Sequence, residues 1–193
     1  AKTYSGSASA LSAALAGTIT DGSGNALSGA MTVSDADNTA VAATDLSTIG
    51  GATGGTVTVT HAVEISGSAS ELKAALHTTA SKVAVSDATV TISDGDNTAI
   101  AATDLSNIGN KTTGTVTVTH AIEVTGTADN AVAALHTTTS KVVVTDAAVT
   151  LSDDPDLTEL GQLNAATTGA IKINTQAKTY SGSASALSAA LAG

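Results

Sequence analysis

The chain has 193 residues with no Phe, Trp, Cys or Arg, and its only tyrosines are Tyr4 and Tyr180. Seventeen acidic residues against seven lysines give a net charge of −10, which excludes the basic face that nucleic-acid binding requires and opposes docking on anionic lipid. The missing cysteines rule out disulfides and thiolate metal sites, and no stretch approaches the ~20 apolar residues of a membrane-spanning helix.

From the N-terminus, residues 1–17 (AKTYSGSASALSAALAG) recur letter for letter at 177–193, a period of 176. Any window slightly longer than one period of a tandem array shows its own start twice, so 1–193 reads as one continuous repeat array. The first residues carry one lysine and no sustained apolar run. They are not a signal peptide, and any targeting signal is expected outside this stretch.

The period is itself repetitive. Thr32-Val33-Ser34-Asp35 is answered by Thr91-Ile92-Ser93-Asp94 and by Thr150-Leu151-Ser152-Asp153, a spacing of 59 twice with 58 left over. The units fall at about 1–31 (the end of one), 32–90, 91–149 and 150–193, the last overlapping 1–17 in sequence. Each splits again into halves of about 29 residues.

Within the first full unit, Thr44-Asp45-Leu46 with Ile49 and Gly50-Gly51 predicts a short helix with a Thr cap, an acidic first turn and a glycine stop. Residues 56–60 alternate Val and Thr, a strand with one buried face. A second strand is expected over 64–66. Ser68-Ala69-Ser70-Glu71 is a capping-box pattern ahead of Leu72 and Leu76, one or two turns of helix. Strands over 83–86 and 89–93 close the unit.

Together these signals predict a mainly β fold: a parallel β-solenoid with short helices in each coil of about 29 residues. Val, Ile and Leu would point inward and Thr and Ser form ladders outside. Tandem β-sandwich domains are the alternative, although such domains use larger, often aromatic, cores.

Acidic loops recur at equivalent points: Asp35-Ala36-Asp37-Asn38, Asp94-Gly95-Asp96-Asn97 and Asp153-Asp154-Pro155-Asp156. Asp at alternate positions with Asn or Gly is a pattern that a hard cation favours, so Asp35, Asp37, Asn38, Asp94, Asp96, Asn97, Asp153, Asp154 and Asp156 are candidate calcium ligands. The competing reading is a set of polar turns, which prefer the same residues without metal. If the metal reading holds, the loops should stack in one column. No other cofactor is required. His61 and His120, and His77 and His136, form copied pairs that read as polar tips rather than zinc ligands. The Thr-x-Thr-x-Thr runs at 56–60 and 115–119 suggest an ice-matching face, but the third counterpart, Ala170–Asn174, places Lys172 in the row. No nucleophile elbow or phosphate-binding lysine accompanies the many Ser and Gly residues, and a non-enzyme is expected.

Ala-Ala-Thr-Asp-Leu-Ser-x-Ile-Gly (42–50 and 101–109), Thr-Thr-Gly-Thr-Val-Thr-Val (112–118) and Ile-x-Val-Thr-Gly-Thr-Ala (122–128) carry a resemblance. Together they resemble the degenerate repeats of giant secreted or cell-surface proteins of marine bacteria and cyanobacteria. The resemblance implies export, an extracellular or cell-surface location, and a role in layers, fibres or adhesion, with no catalytic residues carried over. The resulting expectation is a structural repeat protein that continues end to end with itself as a rod or fibre. The alternative is a calcium-stiffened stalk of a bacterial surface adhesin, with surface glycans as possible partners.

Overall fold

The computed structural model describes residues 2–17, 19–174 and 179–191. In chain order the elements are β1 (Tyr4–Gly6), α1 (Ala8–Leu15), β2 (Met31–Val33), β3 (Ala40–Ala42), α2 (Ala43–Ala52), β4 (Val57–Val59), β5 (Glu64–Gly67), α3 (Ala69–Leu76), β6 (Val83–Ala84) and β7 (Thr89–Ile92). They continue with β8 (Ala99–Ala101), α4 (Ala102–Gly109), β9 (Val116–Val118), β10 (Glu123–Gly126), α5 (Ala128–Leu135), β11 (Val142–Val143), β12 (Ala148–Leu151), α6 (Leu157–Ala166), β13 (Ile171–Ile173) and α7 (Ala184–Leu191).

The expected mainly β solenoid is overturned. The fold is α/β, with 32% helix against 24% strand. Tight Asp-, Asn- and Gly-containing loops leave only two to four residues extended in each strand, whereas Ala and Leu at helical spacing sustain helices of eight to ten. The 29-residue coil fails as well. Parallel neighbours are offset by 22 residues (Val149 to Ile171) to 27 (Tyr4 to Met31).

Two compact units form, Ala1–Ile92 with Lys111–Thr115, and Ser93–Asn110 with Val116–Gly193. In the first, β1-β2-β4-β6 make a parallel sheet and β3, β5 and β7 pair in parallel order. Helices α1, α2 and α3 pack in succession. Val57 and Val59 are buried while Thr58 between them is exposed, so the two-residue alternation orients this strand as the sequence predicts. Met31, Leu46, Ile49, Ile65 and Leu72 fill the core. In the second unit, β8-β10-β12-β13 form a parallel sheet, β9 pairs with β11, and α4 to α7 pack in succession. Leu105, Ile108, Leu151 and Leu163 are its largest fully buried side chains together with Ile122.

Sequence repeat and pairing step are therefore incommensurate. From Met31 the chain pairs with Val57 and then Val83, two steps of 26 residues, and so falls short of the 59-residue repeat. The counterpart of β2 in the next repeat is β7, which lies in another sheet, while the pairings themselves recur one repeat on: β3 with β5 as β8 with β10, and β4 with β6 as β9 with β11.

Local helix chemistry follows the sequence in part. Ser68 and Glu71 form the expected capping box on α3: the Glu71 amide donates to Ser68 Oγ at 3.3 Å, and the Ser68 amide to Glu71 Oε2 at 2.8 Å. On α2 the expected Thr44 cap is absent. The helix starts earlier, with Ala42 in the cap position and no side-chain bond. Gly50 does not stop α2 either. It lies inside the helix, buried, where a Cβ would sit 1.8 Å from the Ser81 carbonyl oxygen. Gly109 meets Ser140 in the same way at 1.7 Å. The glycine serves close approach of two backbones.

Adjacent glycines in α2 then respond oppositely to the same change. Gly50→Ala forces the Ser81 backbone to move and should cost at least ~1–3 kcal/mol. Gly51→Ala, with nothing within 4 Å of the new methyl, should gain up to about 1 kcal/mol from helix propensity. Urea unfolding of both variants measures the difference.

Candidate functional site

In the first acidic loop, the half-buried Asp35 turns Oδ2 onto the amide of Ala8 at 2.7 Å, the first residue of α1. The N-terminus of a helix presents free N–H groups and a positive dipole end, so a carboxylate placed there is favourable. Asp37 Oδ1 accepts from the Ala62 amide at 3.0 Å, and the Asn38 amide donates to the Ala62 carbonyl at 2.8 Å. Asn38 sits at φ 58°, the left-handed region that Asn tolerates better than most residues.

The second loop repeats this geometry. Asp96 Oδ1 accepts from the Ala121 amide at 3.1 Å, the Asn97 amide donates to the Ala121 carbonyl at 2.8 Å, and Asn97 has φ 59°. The third loop keeps only part of it. Asp153 Oδ1 takes the first amide of α5, from Ala128, at 2.8 Å. Asp156 has become the N-cap of α6, in a capping box with Glu159 at 2.8 and 2.6 Å.

The carboxylates whose bonds are described thus serve backbone N–H groups, in the main 25 to 27 residues away. Among the described residues no three His, Cys, Asp or Glu side chains converge as metal ligands would. The first loop follows β2, which lies between β1 and β4 in one sheet, and the second follows β7, which lies beside β5 in another. Asp94 and Asp154 are also engaged in interactions.

His61 and His120 are exposed and share a 3.0 Å hydrogen bond between Nδ1 and the hydroxyl of the preceding Thr60 or Thr119. His77 and His136 occupy the C-cap positions of α3 and α5, where their amides donate to Lys73 and Val132. Neither pair forms a cluster.

The feature not anticipated from the sequence is a buried hydroxyl latch. Thr53, Thr112 and Thr167 are 1%, 3% and 5% exposed. Thr53 Oγ1 donates to the Gly29 carbonyl at 2.6 Å and accepts the Gly55 amide at 3.0 Å. Thr167 Oγ1 bonds the Ala147 carbonyl at 2.6 Å and the Gly169 amide at 3.0 Å. Thr112 does the same with the Ala88 carbonyl and the Gly114 amide. The glycine two residues on is needed, since a Cβ on Gly114 would lie 2.4 Å from Ala88 O and one on Gly169 2.2 Å from Ala147 O. The signal was present as Thr-x-Gly at one point of all three units, but a polar residue in a glycine loop reads as a turn.

A cleft of about 510 Å³ lies between α6, β13 and the C-terminal segment, lined by Leu160, Asn164, Ile171, Ile173, Tyr180 and Leu191 among others. Burial pushes the Tyr180 hydroxyl pKa up, and the Asp154 and Glu159 charges push the same way. No helix among the described residues is long and apolar enough to cross a membrane. Comparison with known protein families, curated proteins and solved structures gives no match. The arrangement is suited to holding neighbouring segments of backbone at fixed register.

Two outcomes test this reading. Thr112→Val leaves the Ala88 carbonyl and the Gly114 amide unbonded and should cost about 1–3 kcal/mol. Thr113→Val, which removes an exposed bond to Ser86, should cost less, as thermal unfolding of the two variants will measure. The Glu71 carboxyl is held below its ordinary value of 4.5, first by the Ser68 amide and then by its hydroxyl. A depressed folded value means the cap contributes fully above pH 4.5 and is lost as pH falls through the lower folded value. The Ser68 amide shift, followed by NMR, should titrate in that window below 4.5 and stay flat in Glu71→Gln.

Proposed function

We propose that this chain is a non-catalytic structural repeat module of an extracellular rod or fibre, extended end to end by continuation of its helix-and-strand layers. One observation carries the reading. Residues 1–17 and 177–193 are identical, and within each unit the named strands pair in parallel while successive helices pack on one another. A chain whose text restarts, in a fold that adds parallel strands one after another, is suited to lengthening. Such repeats gain stability from nearest neighbours, so length can grow without a new core.

The chemistry is compatible with this role. Small residues, buried Thr latches and backbone-directed carboxylates fix register, and the polar groups described at the loops are spent on backbone amides. Location outside the cell rests on the resemblance in residues 42–50, 101–109, 112–118 and 122–128 to secreted and surface repeats. In the fibre reading, the repeated segment is the joint between periods.

Negative-stain imaging of intact cells with antibody against this chain should show uniform fibres labelled at a regular axial interval. Single tethered stalks ending in a lobe, or label confined to the cell interior, would overturn the fibre reading.

A further inference from the structure

Four residues other than glycine have positive φ among the described residues: Asn38, Asn97, Lys82 at 50° and Lys141 at 54°. Asparagine tolerates the left-handed region, whereas a long side chain rarely enters it. Both lysines take it at the same point, the last residue before the edge strands β6 and β11. A turn of this kind does not demand lysine. The connection that follows α1 (16–30) contains none, and there positive φ falls on Gly24 at 81°. A strained conformation kept twice points to something the side chain does.

What it does is bind carbonyls. Lys82 Nζ donates to the Gly50 carbonyl at 3.3 Å and to that of Ala80 at 3.3 Å. Lys141 Nζ donates to the Gly109 carbonyl at 3.4 Å and to that of Thr139 at 3.1 Å. Gly50 lies in the last turn of α2 and Gly109 ends α4, so both carbonyls lack an intrahelical amide, and the helix dipole favours a cation beside them. The junction is close: Ser81 and Ser140, which press their carbonyls on these two glycines, are buried. The backbone of each lysine then opens a strand pair. The Val57 amide donates to the Lys82 carbonyl at 3.0 Å and the Val116 amide to the Lys141 carbonyl at 2.9 Å. One residue ties a helix end to the first rung of a parallel pair.

We infer that Lys82 and Lys141 are charge-operated clamps: each ammonium pins the connection before an edge strand to the last turn of a helix 32 residues earlier, and neutralising it frees the first rung of that strand. Acylation of Nζ is the modification that sets the switch. The unprotonated amine attacks the carbonyl of a thioester or acyl phosphate, a C–N bond forms as the thiolate or phosphate leaves, and the two protons lost from the ammonium go to solvent. The product is neutral and keeps one N–H donor where the ammonium had three. Both lysines are half-buried. The clamp depends neither on the fibre reading nor on where the chain is located.

Amide hydrogen exchange of the full folded chain, followed by NMR at Val57 and Val116, tests the clamps one at a time. Lys82→Gln removes a charged hydrogen bond and should speed Val57 exchange roughly tenfold while leaving Val116 unchanged. Lys141→Gln should do the converse, and Lys111→Gln, at an exposed lysine, should change neither. Lys82→Gly separates the clamp from the turn. Glycine relieves the positive φ, so a turn that needs only a left-handed residue would gain protection, whereas loss of the clamp speeds Val57 exchange as Gln does. Slower or unchanged exchange in Lys82→Gly overturns the inference. Should that variant not fold, the wild-type chain is acetylated in its folded state and read at the same two amides. Faster exchange is the expected result, and unchanged exchange with Lys82 and Lys141 fully acetylated overturns the inference equally.

Discussion

The structure depends on satisfying the backbone polar groups of each segment from a segment about one pairing step away. With one Met and no Phe or Trp, the chain cannot build a thick core of large side chains. Its segments must approach closely, and close approach buries carbonyls and amides that then need partners. Parallel strand pairing supplies many of them. Others are met by the loop carboxylates of Asp35, Asp37, Asp96 and Asp153 and by Thr53, Thr112 and Thr167, whose hydroxyls both donate and accept. Glycines at 55, 114 and 169 leave room for this. An unmade bond at such a position costs more than a made one contributes, which makes the latch a constraint on register as well as a source of stability.

The second governing fact is the mismatch between a 59-residue sequence repeat and a 22- to 27-residue pairing step. Equivalent residues nevertheless keep equivalent partners, Thr53 with Gly29 and Thr112 with Ala88. β2 and its counterpart β7 join different sheets, yet the loops that follow them bond equivalent backbone, at Ala62 and at Ala121. The third acidic loop departs from this pattern where its sequence departs. Asp156 caps α6, while its counterparts in sequence position lie in loops that hold a facing backbone through Asp37 or Asp96. The acidic residues in all three loops remain, but the geometry they support need not.

Much of the local structure was legible in the sequence. The Val-Thr-Val alternation at 57–59, the Ser68–Glu71 box and the turn character of Asp35–Asn38 each depend on residues a few positions apart. What was not legible depends on partners far away in the chain. Gly50 reads as a helix stop until Ser81 is placed against it, and Thr112 reads as a loop residue until the Ala88 carbonyl is placed above it. Periodicity of two announces a strand without saying which strand lies beside it, so half the repeat, about 29 residues, predicts a coil longer than the 22- to 27-residue pairing step. Helix content is hard to read from the sequence for a related reason. Eight-residue helices such as Ala8–Leu15 are marginal alone and persist because neighbouring helices cover them.

The central claim is that register follows the pairing step and not the sequence repeat. Backbone nuclear Overhauser contacts in isotope-labelled protein test it most directly. The account predicts inter-strand contacts joining the segments at Met31, Val57 and Val83, and none in the ladder between Thr32 and Thr91. Ladder contacts between Thr32 and Thr91, with those at Met31 and Val57 missing, would contradict it.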